Sequence, residues 1–570
     1  MSSTITTTAW VPRGFAAPFP KKYDFNEDEF ARIAELAKLQ LDDAQEDLEE
    51  AQEGEGEGEG EGEVDAKAKA EAFASQITKK GSKSKSKASA GAEIDIDDDD
   101  LKEYNLDNYD DDDEENADIV ADGQPLSIFS NIKSLAYYES NKEDPYITLH
   151  DADVEDEDED RQELQVLATD NMLLAAKIED ELAHLEVYVY EDEADNLYVH
   201  HDIMLPAIPL CLEWLDVPVG KKEGVAPDAA ANFVAVGTVD PDIEIWDLDT
   251  VDCMYPNAIL GRGAKGAEED KKKKKKSKGK GKQANDEYHV DAVLSLAANR
   301  KHRNLLASAS ADKTVKLWDL NTAKCAKSYT YHTDKVCSIA WHAVESTVLL
   351  SGSYDRTIVA ADMRAADSKA AVSARWGVES DVENVRWDPH DANYFYVTTE
   401  AGYVHYHDVR NAPADPSQTK AVWTLKAHDE SVSSFDVNAH IPGFLATGSG
   451  DKTVKLWNVN AAGAAGTTGP QLVVSRNLEV GRVFSANFAP DAEVAFRVSV
   501  AGSKGGLTVW DTSTNGAVRR AFASKIPNKD EEVEERLVGV ADDDDESESS
   551  DDEEGEGAAV NGSDDEEMEG

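Results

Sequence analysis

SASADKTVKLWD, residues 308–319, returns along the chain as SGSYDRTIVAAD (351–362), VTTEAGYVHYHD (397–408), TGSGDKTVKLWN (447–458) and VAGSKGGLTVWD (500–511). The last residues of successive copies are 43, 46, 50 and 53 positions apart. An earlier copy, AVGTVDPDIEIWD, ends at Asp247, 72 residues before Asp319, and the excess is a lysine-rich insertion at 261–285. Setting that insertion aside restores a period of ~40–50 residues, the length of a propeller blade. Runs such as VCSIAW, TVLLSGS and TVKLWD have strand length and strand alternation, and tight-turn residues separate them. Four such strands make one blade. A degenerate first copy is expected upstream, with Ile132 to Tyr138 as one strand, LQVLATDN (164–171) as a second and HLEVYVYE (184–191) as the last. The count is then seven blades closed into a ring, an all-β fold.

Each good copy carries a polar set: a histidine before the first strand, a hydroxyl on the second, an aspartate in the next turn and a tryptophan on the third. The sets are His289, Ser308, Asp312 and Trp318, and His428, Thr447, Asp451 and Trp457. Histidine and aspartate stand 23 positions apart in both, and again at His332 and Asp355, where Ala361 holds the tryptophan position. Such a set passes hydrogen bonds from indole to hydroxyl to imidazole to carboxylate and so satisfies buried donors. Its recurrence in blade after blade argues for a structural network and against a hydrolytic triad, which is a single constellation. The fifth copy departs, with Val378 for the histidine and Ala401 for the aspartate, and the last has Lys504 for the aspartate. On these residues the chain resembles WD-repeat β-propellers over about 125–525.

Charge isolates this array. Residues 1–200 hold 56 acids and 17 bases, residues 201–528 hold 40 and 38, and residues 529–570 hold 21 and 2. Only the middle has the composition of a packed core. The expected plan is an N-terminal docking arm with a short amphipathic helix (1–50), a disordered charged linker (51–124), the propeller (125–525) and a disordered acidic tail (526–570). The linker holds the alternating Glu53–Glu63 run and KKGSKSKSK (79–87). No run approaches the roughly 18 apolar residues of a membrane span, and MSSTITTTAW is not a signal peptide. Cys211, Cys253, Cys325 and Cys337 form no CxxC pair, which predicts a reducing compartment and no zinc ribbon. His200 and His201 are expected on opposite faces of a strand. No nucleophile, phosphate loop, metal set or cofactor site is read, so an enzyme is not expected.

The opening TAWVPRGFAAPFPKKYDF (8–25), the acidic segments, the tail and the near-regular tryptophans together resemble the periodic tryptophan protein 1 family. That resemblance covers nearly the whole chain. It implies a nuclear, nucleolar WD-repeat scaffold in ribosome biogenesis and rRNA processing, without catalysis. The implied partners are the pre-ribosomal particle that becomes the large (60S) subunit, pre-rRNA, ribosomal proteins and assembly factors. The alternative is a chromatin or histone-binding adaptor, since acidic tracts suit basic partners.

Four sets of partner residues are expected. Lys313, Arg356, Lys452 and Lys504, in the turns between second and third strands, would place cations on one face of the ring for phosphate contact, although Asp-Lys-Thr is also an ordinary turn. The block Lys271 to Lys282 reads as a nucleolar address, an RNA arm or a solvated loop. Ser549, Ser550 and Ser563, each three residues before an acid, resemble casein-kinase-II-type phosphorylation sites. In the N-terminal arm, Trp10, Arg13, Phe15, Phe19 and Tyr23 suit interface anchors, ahead of a helix capped at Asn26 and Glu29.

Overall fold

The computed structural model describes residues 3–23, 162, 164–220, 229–261, 285–460, 469–526 and 534–539. Seven four-stranded antiparallel sheets follow one another as blades. Blade three shows the pattern: Val293–Ala298 is the inner strand, Leu305–Ser310 and Val315–Asp319 come next, and Lys324–Tyr329 is outermost. Seven apolar clusters form the core, one between each pair of neighbouring blades, including seven against one. A blade is therefore apolar on both faces. Phe233–Thr238 of blade two is buried at every position, as a strand sandwiched on both sides must be.

Ring closure corrects the expected domain plan. The inner strand of blade one is Ser3–Val11, which pairs antiparallel with Asn171–Glu179. Leu182–Glu191 and the outer strand Asn196–Leu205 complete the blade. The N-terminus is thus propeller rather than a separate docking arm. The run TITTT is rich in β-branched residues that suit a strand, and Ile5 and Val11 are fully buried. Of the expected first-copy strands, 164–170 is turn, HLEVYVYE lies in the third strand rather than the last, and Ile132 to Tyr138 falls outside the described residues.

The acidic tail also begins later than expected. Arg536–Gly539 is the outer strand of blade seven, paired with Leu507–Asp511, and Val538 is buried against blade one. A helix, Gly516–Ala521, lies between those two strands, and so the sequence repeat loses its last member. The rest of the expected tail, the linker 51–124, the Asn26 helix and residues 262–284 with the lysine block fall outside the described residues.

Inner strands are linked by a recurring relay. Ser295, Ser338, Ser434 and Ser485 each accept a backbone N–H from the next blade, from Ile339, Val385, Ala486 and Thr8 respectively. Thr8 thus sits in register with Ile339, Val385 and Ala486, the residues that join three other pairs. Below them, Trp341 donates to Ala297 O at 2.9 Å, Trp387 to Ala340 O at 3.1 Å and Trp10 to Asn487 O at 3.2 Å. Removing one such bond while keeping an aromatic ring, as in Trp387→Phe, should destabilise the fold by about 1 kcal/mol in a urea titration.

Candidate functional site

Because strands within a blade are antiparallel, the turns between second and third strands share one end of the ring with the links from each outer strand to the next blade. That end is called the upper face here. The tetrads sit just beneath it. His289 contacts Asp312 Oδ2 at 2.9 Å and Ser308 Oγ at 2.6 Å, and Trp318 Nε1 donates to Ser308 Oγ at 2.8 Å. In blade six His428 meets Asp451 at 2.8 Å and Thr447 at 2.8 Å, and Trp457 donates to Thr447 at 2.9 Å. A hydroxyl that accepts from indole donates to Nε2, which leaves the imidazole proton on Nδ1, facing the carboxylate. Burial pushes the His289 and His428 pKa values down and keeps the rings neutral. Burial alone would raise Asp312, but hydrogen bonds from His289 and Thr314 outweigh it and hold the carboxyl at about 2.

Blade four solves its missing tryptophan locally. His332 keeps Asp355 at 3.0 Å and Ser351 at 2.9 Å, and Ser351 donates to the Tyr331 hydroxyl at 3.3 Å. The hydroxyls of Ser308, Ser351 and Thr447 are fully buried and already engaged, so these sets hold turns together rather than attack a substrate.

The structure places the four expected cations on the upper face but not in equivalent roles. Lys313, Arg356 and Lys452 occupy the same turn position, with φ of 71°, 62° and 66°. Lys504 sits one place earlier, and Gly505, at φ 75°, takes the left-handed position. Two of the cations are paired with the next blade: Lys313 Nζ lies 3.1 Å from Thr333 O, and Arg356 Nε 3.0 Å from Asp381. The Arg356 side chain is 61% exposed, so Arg356→Ala should cost at most about 1 kcal/mol in thermal melts.

Exposed acids interrupt the cations: Asp240, Asp291, Glu379, Glu400, Asp429 and Glu479 lie on the same turns and links. Between blades four and five, burial, Glu400 and Asp381 push the Glu383 carboxyl up to about 7. Burial, and after it the charge of Glu383, raises the Tyr354 phenol to about 12. The upper face is therefore mixed in charge and locally acidic.

Most of the expected N-terminal anchors are held by the propeller itself. Trp10 is 8% exposed and meets Tyr190 edge-on. The Arg13 guanidinium binds Asn171 and Glu493, each at 2.8 Å, and its backbone N–H donates to Asp491. Phe15 packs edge-on against Trp214 with centroids 4.7 Å apart, and Tyr23 N–H donates to Val251 O. Phe19 alone of the five is exposed, at 37%.

Two arrangements went unread in the sequence. His200 and His201 do not diverge: a register shift opposite Val187 and Tyr188 bulges the strand and brings their Nδ1 atoms within 2.7 Å. On the lower face, His342, His390 and His440 each donate Nε2–H to a carbonyl of the following blade, Ala392, Asn438 and Pro490, at 2.8–2.9 Å. His342 Nδ1 accepts from the Val344 and Glu345 amides, which fixes that tautomer. The signal was present, since WHAV, WDPHD and VNAHI follow three inner strands in turn. Among the described residues, no group of three His, Cys, Asp or Glu side chains could hold a metal ion.

The WD domain, G-beta repeat model matches residues 284–319, 323–360 and 419–458. With the seven blades and the tetrads, this defines a WD-repeat β-propeller. The chain is 40% identical to periodic tryptophan protein 1 of Saccharomyces cerevisiae over 566 residues, covering 93% of this chain and 92% of that protein. It is 30% identical to the Drosophila melanogaster periodic tryptophan protein 1 homolog, over 65% of this chain and 73% of that one. An uncharacterized WD repeat-containing protein of Schizosaccharomyces pombe is 47% identical across 95% of both chains. The chain belongs to the periodic tryptophan protein 1 family.

Proposed function

We propose that the chain is a non-catalytic scaffold in ribosome biogenesis, acting in the nucleolus on the precursor of the large subunit, with pre-rRNA, ribosomal proteins and assembly factors as partners. The observation that carries this reading is membership of the periodic tryptophan protein 1 family across 93% of the chain. The upper face refines the choice of partner. Arg356 pairs with Asp381, which leaves Glu400 and the partly ionised Glu383 as the excess charge, so this sector of the face disfavours a phosphate backbone and suits a basic protein segment such as a ribosomal protein carries. RNA contact falls instead to the lysine block 271–282, rooted on the same face between Gly261 and Asn285. Ser549, Ser550 and Ser563 are proposed phosphorylation sites.

Tagged protein sedimented from nuclear extract should co-migrate with large-subunit precursors and recover their rRNA. Recovery with nucleosomes or free histones would instead support a chromatin adaptor, the reading that the locally acidic face also favours. Charge reversal at Glu383 and Glu400 should reduce recovery of protein partners more than of RNA, and replacing the lysine block should do the opposite.

A further inference from the structure

Ser3–Val11 is held on three sides without any covalent neighbour in the blade it completes. It forms a ladder with Asn171–Glu179, from Ser3 opposite Glu179 to Val11 opposite Met172. Towards blade seven, Thr8 bonds Ser485 through both its N–H and its hydroxyl, Asn487 Nδ2 donates to Thr8 O at 2.9 Å, and the Trp10 indole returns a bond to Asn487 O. Towards blade two, the Thr6 hydroxyl donates to Pro209 O at 2.9 Å. The chain then crosses the lower face, where Ala17 N–H donates to Asp249 and Lys21–Lys22 pairs in parallel with Thr250–Val251. The strand that follows in the blade begins only at Asn171. The two ends of the intervening chain meet at the base of the blade, where Val166 N–H donates to Pro18 O at 3.1 Å.

These contacts have the form of a peptide complex: a β-ladder for affinity, and pockets for alternate side chains for selectivity. We propose that the gap between blades seven and one is a strand-accepting site, and that residues 3–23 occupy it as a separable ligand. Its recognition elements are a β-branched hydroxyl at position 8, an indole at 10 and a guanidinium at 13. Gly505 sets the upper limit of the site, since a Cβ there would come within 2.0 Å of Ser3 Oγ. This inference concerns the propeller alone and does not depend on the ribosomal reading.

The test cuts the folded, full-length protein. A protease site is placed within the Glu53–Glu63 run and the purified protein is nicked. The two fragments should remain together in gel filtration and melt within a few degrees of the uncut chain. A labelled peptide of residues 1–23, in excess during a mild urea step, should replace the native fragment. The same peptide with Trp10→Ala should compete at least about a hundredfold less well, because an indole buried in a formed pocket is lost. Fragments that separate under native conditions, or equal incorporation of the two peptides, would overturn the proposal. The nicked protein is free of ribosomal material, so the outcome is independent of what the full chain sediments with.

Discussion

A chain lacking residues 1–23 is expected to lose cooperative unfolding, whereas one cut between this segment and the rest is expected to keep it. Deletion removes Ile5, Trp10 and Val11 from two interblade clusters and bares the inner edge of Asn171–Glu179. It also leaves Ser485 and Asn487 without their Thr8 partners. Trp10→Ala by itself should destabilise by about 3–5 kcal/mol, the usual loss for a large aromatic removed from a core. The full deletion adds a nine-residue ladder to that loss, against a net stability of about 5–15 kcal/mol for folded domains. Far-UV circular dichroism melts and limited proteolysis should report a broad, low-temperature transition and early cleavage in blade one. An unchanged melting curve would show that blades two to seven close without the strand.

The contrast between legible and illegible parts of this fold has a physical basis. The tetrads of blades three and six were readable because His289 to Asp312 and His428 to Asp451 span the same chain length, and the same strands and turns fill it. Blade one was not readable as a repeat because its inner strand and its second strand are separated by residues 12–170, and no period survives such an interruption. Trp10 and Phe15 looked like exposed anchors since a sequence does not distinguish an aromatic that binds a partner from one that binds its own chain. The same ambiguity affects the upper cations. Asp-Lys-Thr places Lys313 in a left-handed turn position whatever the lysine contacts, and what it contacts here is the next blade. Bulges are the third limit. Alternation sends His200 and His201 apart, and one inserted residue brings them together.

Replacement of His407 by phenylalanine should make the protein more stable, and increasingly so in acid. His407 stands in blade five where the tryptophan stands in blades three and six, but Val397 has replaced the hydroxyl that would receive it. The ring is 2% exposed, stacks on Phe395 with centroids 5.2 Å apart, and neither ring nitrogen has a hydrogen-bond partner. Leaving buried polar atoms unpaired costs about 1–3 kcal/mol, so an apolar ring of similar shape should gain about 1 kcal/mol at neutral pH. Burial, with His405 beside it, pushes the His407 pKa down to about 4. An unfolded histidine titrates near 6.5. The folded value is the lower one, so the unfolded chain binds the proton more readily and stability falls as pH drops from about 6.5 towards 4. At pH 5 the penalty is about 2 kcal/mol, and the variant escapes it. Urea titrations at pH 7 and pH 5 should therefore show the gap between His407→Phe and the parent chain widening to about 3 kcal/mol. His201, whose pKa burial and His200 lower to about 3, remains in both proteins and keeps a residual acid sensitivity that the comparison cancels. A gap that stays constant with pH would mean that His407 is not held neutral in the folded blade.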